Sequence, residues 1–312
     1  MKKAFEDSLR QLMKLNKKII LFLADSVFDL YDEFKKDFPD RFFNFGIAES
    51  NMVAAAGGLA KFSRKGNEEY IPVVYTMTPF LVYRAYEFIR NDVCLQNLNV
   101  KLVGVCSGVK NNNLGPTHHA TEDIAAMRVF PNLTILSPAS PKEVVKAFEK
   151  SIEHRGPVYI RLGKAFETEI YNDTSKFEIG KSTLIQSGND ITIISTGNII
   201  TCVLEAVSQL KNEEITADVI NMSTIKPIDA EGIITSARKT RHVITVEEHQ
   251  IIGGLGSAVS EVLCENKINA LFKRIGFKDT FCTEYGWHKD LLEFYEMSSN
   301  DIYKACKNIL VE

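Results

Sequence analysis

The chain has 312 residues, 45% of them hydrophobic and 25% charged, with 37 Lys and Arg against 40 Asp and Glu. A chain of that length buries roughly three quarters of its unfolded surface, so apolar cores form without disulfide or metal staples, and it is comfortable for two domains of about 150 residues. A formal charge of −3 with no single-sign block excludes the basic excess that a general polyanion binder needs.

The first strong apolar run, Ile19–Ala24, ends at Asp25. It is too short for a secretory core, and far short of the ~20 residues that span a bilayer, so it reads as a buried strand. The six cysteines (Cys94, Cys106, Cys202, Cys264, Cys282 and Cys306) form no C-x-x-C pair. That scatter suits reduced, mostly buried thiols in the cytoplasm. Strands are expected over 18–24, 71–75, 100–106, 133–136 and 157–161. Helices are expected between them, over 49–62, 79–95, 121–128 and 141–153. The last opens Ser140-Pro141-Lys142-Glu143, with Ser as the cap, Pro at the first position and Glu at the third.

From Gly163 to Asn189 the composition turns polar and acidic and loses any sustained period, as a linker would. A second alternating series follows. Its strands are 190–195, 215–220, 242–247 and 271–276, and its helices are 198–211, 229–238, 256–265 and 299–310. The pattern predicts an α/β protein of two open, mainly parallel-sheet domains: 1–165, a linker over 166–188, and 189–312. Such an architecture hosts many chemistries and names none.

The stretch richest in chemistry is Arg41-Phe42-Phe43-Asn44-Phe45-Gly46-Ile47-Ala48-Glu49-Ser50-Asn51-Met52. A strand end meets a glycine, and a helix then opens with Glu49 in its first turn. Read alone, Glu49 complements the helix dipole. The helix behind it, Met52–Ala60, is apolar all round and therefore buried. A carboxyl at its mouth is partly desolvated and suited to sharing a proton. The Gly-Ile-Ala-Glu segment resembles the pyrimidine-binding domain of the transketolase family, whose members use thiamine diphosphate. The resemblance implies that Glu49 is catalytic, hydrogen-bonding N1′ of the cofactor's aminopyrimidine and favouring the imino tautomer that activates the thiazolium.

Further segments match in order. Tyr75–Tyr86 resembles the family's aromatic pyrimidine pocket, with Phe80 stacking on the ring. Met77 and Tyr83 complete its wall, their spacing of three on a helix putting them on one face with Phe80. Asp25 matches an aspartate near the cofactor, although a strand-end cap is its plainer role. Gly115-Pro116-Thr117-His118-His119 resembles the loop whose histidine faces the donor's C1 hydroxyl and carbonyl, which makes His118 a catalytic and substrate-binding residue. Arg161 sits where the family grips a substrate phosphate; without the family, it is a surface arginine pairing with a carboxylate. Val246-Glu247-Glu248-His249 and Ile252–Val259 resemble the family's C-terminal domain. Their glycines do not make a dinucleotide fingerprint, because Val259 stands at the last glycine position. They are expected to allow a tight turn and close packing at a subunit contact.

No Gly-Asp-Gly occurs in the sequence. In the family that motif binds the diphosphate and Mg²⁺ (or Ca²⁺) on a separate domain. The resemblance therefore implies the C-terminal subunit of a split enzyme, with no metal ligands of its own. Its partner would be an N-terminal subunit carrying the missing motif, in an α2β2 assembly, and neither half would turn over alone. The implied reaction moves a two-carbon ketol unit from a ketose to an aldehyde acceptor, within carbohydrate metabolism. Two departures bear on the sugar. Leu114 precedes the Gly-Pro-Thr-His loop where an acid is usual, and Cys106 stands where many members have a histidine. Losing those polar groups loses discrimination for a hydroxyl. The expected substrate is therefore outside the usual pentose-phosphate pair: a deoxygenated, branched or nucleotide-linked sugar, or an α-keto acid. The related alternative is decarboxylation of an α-keto acid and addition of the fragment to an aldehyde. A non-catalytic interaction protein is the alternative of a different class.

Overall fold

The computed structural model describes residues 1–25, 31–64, 69–163, 168–171 and 176–311. Its apolar runs build two sheets. The first holds β1 (Ile19–Leu23), β2 (Phe42–Asn44), β3 (Ile71–Met77), β4 (Lys101–Val105), β5 (Thr134–Leu136), β6 (Val158–Arg161) and β10 (Thr224–Lys226), in the order β10-β5-β6-β4-β3-β1-β2. The second holds β7 (Thr183–Gln186), β8 (Ile191–Ser195), β9 (Ala217–Asn221), β11 (His242–Gln250) and β12 (Leu271–Phe277), in the order β12-β11-β8-β9-β7. Every pairing is parallel except the edge pairs β10 on β5 and β7 on β9. Two mainly parallel α/β sheets are what the alternation predicts. Helices cover both faces, so a strand such as β1 is apolar and buried along its whole length.

Helices over 31–37 and 288–294 were unexpected; four further differences from the sequence reading have local causes. Helix α1 (Lys2–Leu15), unanticipated, turns Phe5, Leu9 and Met13 inward along one face. The Phe5 ring lies 4.9 Å from that of Tyr75 and 4.8 Å from that of Phe148 on α6 (Pro141–Glu153). The capping signal at Ser140 holds, its hydroxyl accepting from the Glu143 N–H. Part of the expected linker, residues 172–175 and the stretch up to 167, lies outside the described residues. Within the rest, Thr183–Gln186 is a strand, hidden by polar composition because it is an edge with Leu184 53% exposed. Strand β10 is too short to show a period, yet it crosses from the second half of the chain to finish the first sheet.

The fourth difference touches the site. The expected helix over 79–95 is not continuous. Phe80–Arg84 and Ile89–Cys94 are π-helical turns on either side of α4 (Tyr86–Phe88). Such wide turns recur where function asks a helix to re-aim side chains. Helix α3 (Glu49–Arg64) packs against the second of them so closely that a Cβ on Gly57 would lie 2.7 Å from the Asp92 carbonyl oxygen.

The remaining helices are α2 (Tyr31–Asp37), α5 (Asp123–Arg128), α7 (Ile200–Lys211), α8 (Ala230–Thr240), α9 (Leu255–Glu265), α10 (His288–Phe294) and α11 (Ser299–Leu310). The two sheets share apolar core: Ile20 and Val74 belong to one cluster with Ile194, Ile220 and Leu255. Polar contacts reinforce it. Lys226 Nζ donates to the Arg128 carbonyl at 2.9 Å, and Asn221 Nδ2 donates to Glu143 Oε1 at 3.0 Å. Among the described residues, no helix is long and apolar enough to cross a membrane.

Candidate active site

The carboxyl ends of β1, β2 and β3 open onto one cavity of about 770 Å³. Ligands of open parallel sheets bind beyond such strand ends. Asp25 follows β1, Ile47 and Glu49 follow β2, and Met77 ends β3. Pro79, Phe80, Tyr83 and Arg84 form one wall, and Leu114, Thr117 and His118 another. Of the residues singled out in the sequence, Asp25, Glu49, Met77, Phe80, Tyr83, Leu114 and His118 line this cavity. Met77 does so for a different reason than expected. It sits on a strand, so helical spacing from Phe80 is not what brings it there.

Glu49 is the first residue of α3 and only 3% exposed. The turn before it needs a left-handed residue, supplied by Gly46 at φ +65°, whose N–H donates to Asn44 Oδ1 at 2.7 Å. The Glu49 carboxylate has a counter-charge that no motif announced. Arg84 Nη1 lies 3.3 Å from Oε1 and 3.2 Å from Oε2. The same guanidinium lies 4.0 Å over the Phe80 ring centroid, a cation–π contact. Ser50 Oγ anchors that turn by donating to the Arg84 carbonyl at 2.8 Å. The missed signal is spacing: Arg84 follows Phe80 by four residues, which a helical turn folds onto one face.

His118 ends the 3-10 turn Pro116–His118, entered through Gly115 at φ +77°. Its ring meets Phe80 edge-on at 5.2 Å, and its Nδ1 lies 2.9 Å from Thr117 Oγ1. Phe80 thus joins the acid wall to the histidine wall. Tyr83 donates its hydroxyl to Glu122 Oε2 at 2.8 Å. Burial, with Asp123 and Glu122 nearby, pushes this phenol far above its ordinary range. It is a wall residue that keeps its proton.

Two expected site residues lie elsewhere. Arg161, read as a phosphate grip, is 4% exposed and spent on internal partners. Its Nε donates to Asp123 Oδ2 at 2.8 Å, and its Nη2 donates to the Ala120 and Glu248 carbonyls at 3.1 and 3.0 Å. Tyr159 adds a hydroxyl to the same Asp123 oxygen at 2.6 Å. The carboxylate pairing is what the structure shows, in the core rather than at the surface. Cys106, placed near the substrate by its position, is buried at φ +62° after β4 and does not line the cavity.

The glycines of the second domain serve a turn, and the close packing is within this chain. A Cβ on Gly253 would lie 2.7 Å from Ala125 of α5. At the N-terminus of α9, Glu247 accepts from the Leu255 and Gly256 N–H groups at 2.6 and 2.8 Å. That end of the helix, where a dinucleotide would put its phosphate, is filled by the chain's own carboxylate.

Comparison with known proteins gives the family. Residues 1–166 match the model of the transketolase pyrimidine-binding domain, and residues 180–302 that of the transketolase C-terminal domain. A Methanocaldococcus jannaschii protein named for the C-terminal section of a transketolase is 38% identical, covering 97% of this chain and 94% of that protein. One subunit of an apulose-4-phosphate transketolase from Actinobacillus succinogenes is 36% identical over 86% of this chain and 85% of its own. A solved split-gene transketolase, described as an inactive β4 tetramer, superposes with a TM-score of 0.87 at 37% identity, over 99% of this chain and 97% of that one. With both domain models matched and such relatives spanning nearly their full length, the chain belongs to the transketolase family.

Proposed function

We propose that this chain is the pyrimidine-binding and C-terminal subunit of a split transketolase, moving a two-carbon ketol unit from a ketose donor to an aldehyde acceptor. A separate subunit would carry the diphosphate and its Mg²⁺ or Ca²⁺, in an α2β2 complex. The observation that carries this reading is the convergence of the buried Glu49 with Phe80 and His118 on one cavity. Relatives named as transketolase subunits or sections, of matching length, support the split. Six scattered cysteines, four of them buried, support a reducing compartment such as the cytoplasm.

Thiamine diphosphate, when bound, supplies the carbanion stabilisation that the chain's side chains lack. The cavity fits its aminopyrimidine end, offering a desolvated carboxylate beside an aromatic face. Glu49 would hold the ring nitrogen and share a proton with it. Phe80 would stack on the ring once the Arg84 guanidinium leaves its face, and Met77 and Tyr83 would close the wall against water. Asp25 borders the same space. His118 would point its imidazole at the donor's oxygens and hold a proton there. Leu114 presents an apolar surface at that mouth, which favours a donor with no hydroxyl to satisfy at this point.

Co-expression with a diphosphate-binding subunit of the same family tests the reading. Glu49→Ala should lower turnover of the assembled complex by about 10²–10⁴-fold with the unfolding midpoint nearly unchanged. An undiminished rate would refute it. Carbon dioxide released in step with product would replace ketol transfer by α-keto acid decarboxylation.

A further inference from the structure

His118 rides on a loop, residues 107–120, whose two ends are tied together at its root. Gly108 and Ala120 exchange both backbone hydrogen bonds, at 3.0 and 2.9 Å, and Ser107 Oγ donates to the Leu162 carbonyl at 2.7 Å. At its tip the His118 ring meets Phe80 of the first domain. The loop's other supports come from the second domain, more than a hundred residues along the chain.

Glu248 of β11, 3% exposed, reaches across the seam, and its Oε1 accepts from the Val109 N–H at 2.7 Å. The approach is so close that a Cβ on Gly108 would stand 2.3 Å from that oxygen. The other oxygen, Oε2, lies 3.0 Å from Nε2 of His288, the first residue of α10. The imidazole's Nδ1 in turn lies 3.4 Å from Lys110 Nζ. Asn112 Nδ2 donates to the Gly286 carbonyl at 2.5 Å, and a Cβ on Gly115 would stand 2.6 Å from the Tyr285 hydroxyl. Positions 109, 110, 112 and 115 are thus each met by the second domain. Burial alone would push the Glu248 carboxyl up, yet His288, Lys110 and the Val109 N–H together draw it down to about 2. Such a carboxylate is charged, with Oε1 committed to the Val109 N–H and Oε2 within ion-pair distance of His288 but not hydrogen-bonded to it. Neither Glu248 nor His288 lines the cavity.

We propose that the second domain holds the His118 loop in its working geometry, with Glu248 and His288 as positioning residues that set His118 beside Phe80. This assigns the C-terminal domain a part in turnover although it contributes no group to the cavity. The proposal rests on the reading of His118 as substrate-facing for its catalytic consequence; the holding of the loop stands without it. A misplacement of about 1 Å at a reacting group costs on the order of 10²-fold in rate, so a loosened loop is read directly in kcat.

The test uses the complex assembled with the diphosphate-binding subunit and two measurements. Hydrogen exchange over 108–120 reports the hold, and steady-state kinetics with thiamine diphosphate titration report its use. His288→Ala should speed exchange in 108–120 by about tenfold or more, leave β3 and β4 protected, and lower kcat by about 10–100-fold. The affinity for thiamine diphosphate should stay within about twofold, because the pyrimidine wall is untouched. His288→Gln, which can offer an amide N–H to Glu248, should recover much of both losses. Where His288→Ala does not fold, Asn112→Ala removes one contact to the second domain and should move the same segment in the same direction, by less. Unchanged exchange and kcat would overturn the proposal, as would loosening spread evenly over the chain with no rescue by Gln. A loosened loop in a complex where His118→Ala keeps full turnover would overturn the role of His118 and leave the hold in place.

Discussion

Two arginine–carboxylate pairs in this chain look alike on paper and differ in what surrounds them. In both, the carboxylate is buried: Glu49 is 3% and Asp123 0% exposed. The Arg84 guanidinium is 47% exposed and has one acidic partner and one aromatic ring. The Arg161 guanidinium is 4% exposed, and its remaining contacts are carbonyls from two domains. An arginine whose donors are spent in the core cannot take a ligand's phosphate. A buried acid whose counter-charge can swing into solvent is able to exchange that partner for a ligand. The difference between structural and site ion pairs therefore lies in commitments, not in residue type.

The largest test of that contrast is Arg161→Ala. It leaves Asp123 buried with only the Tyr159 hydroxyl, a loss of about 3–5 kcal/mol for an uncompensated buried charge. Denaturant unfolding should show a lower midpoint with an unchanged slope. An ordinary midpoint with a raised KM for a phosphorylated substrate would return Arg161 to the substrate site and break the comparison.

The same contrast explains how much of the molecule was legible beforehand. Alternating apolar runs gave away both sheets, because strands buried on both faces have to be apolar throughout. Strand β10 and the edge strand β7 were invisible because one is only three residues and the other half solvated. That Glu49, Phe80 and His118 would share one cavity was legible because a short motif carries each. Arg84 was not, because no motif carries it: its four-residue spacing from Phe80 accounts for the contact with that ring, but its approach to Glu49, distant in sequence, comes only with the fold. Arg161 was misplaced for the reverse reason. Its matching position is real, but Asp123 and Glu248, which absorb its donors, are distant in sequence.

Acid titration sharpens the contrast at the seam. Glu248 is drawn below its ordinary value, from 4.5 to about 2, despite burial that would raise it. A carboxyl with a depressed folded pKa contributes stability fully above its unfolded value, and loses that contribution as pH falls through the folded one. The stability gap between the native chain and Glu248→Gln should therefore be widest above pH 4.5, on the order of 3 kcal/mol, and close as pH approaches 2. Glu247 acts in the opposite sense, since burial raises it, so the difference between the two chains is the quantity to follow rather than either acid limb. A gap constant from pH 6 to pH 2 would mean that the Glu248 carboxylate is not what joins the domains.

The smallest effect is the most informative about the cavity. Arg84→Ala removes a half-exposed ion pair and a cation–π contact, and solvent screening holds the cost to about 1 kcal/mol or less of stability. Its consequence should appear in binding instead. In the native chain the guanidinium covers the Phe80 face and occupies the Glu49 carboxylate, both of which an aminopyrimidine ring would use under the proposed function. Breaking those contacts is part of the cost of binding, so their removal should tighten thiamine diphosphate in the assembled complex by up to about fivefold, equivalent to about 1 kcal/mol. Calorimetric titration of the complex measures this. Weaker binding by the same factor would place Arg84 among the groups that hold the ligand, and the open ion pair would then be a fixture of the site, as Arg161 is of the core.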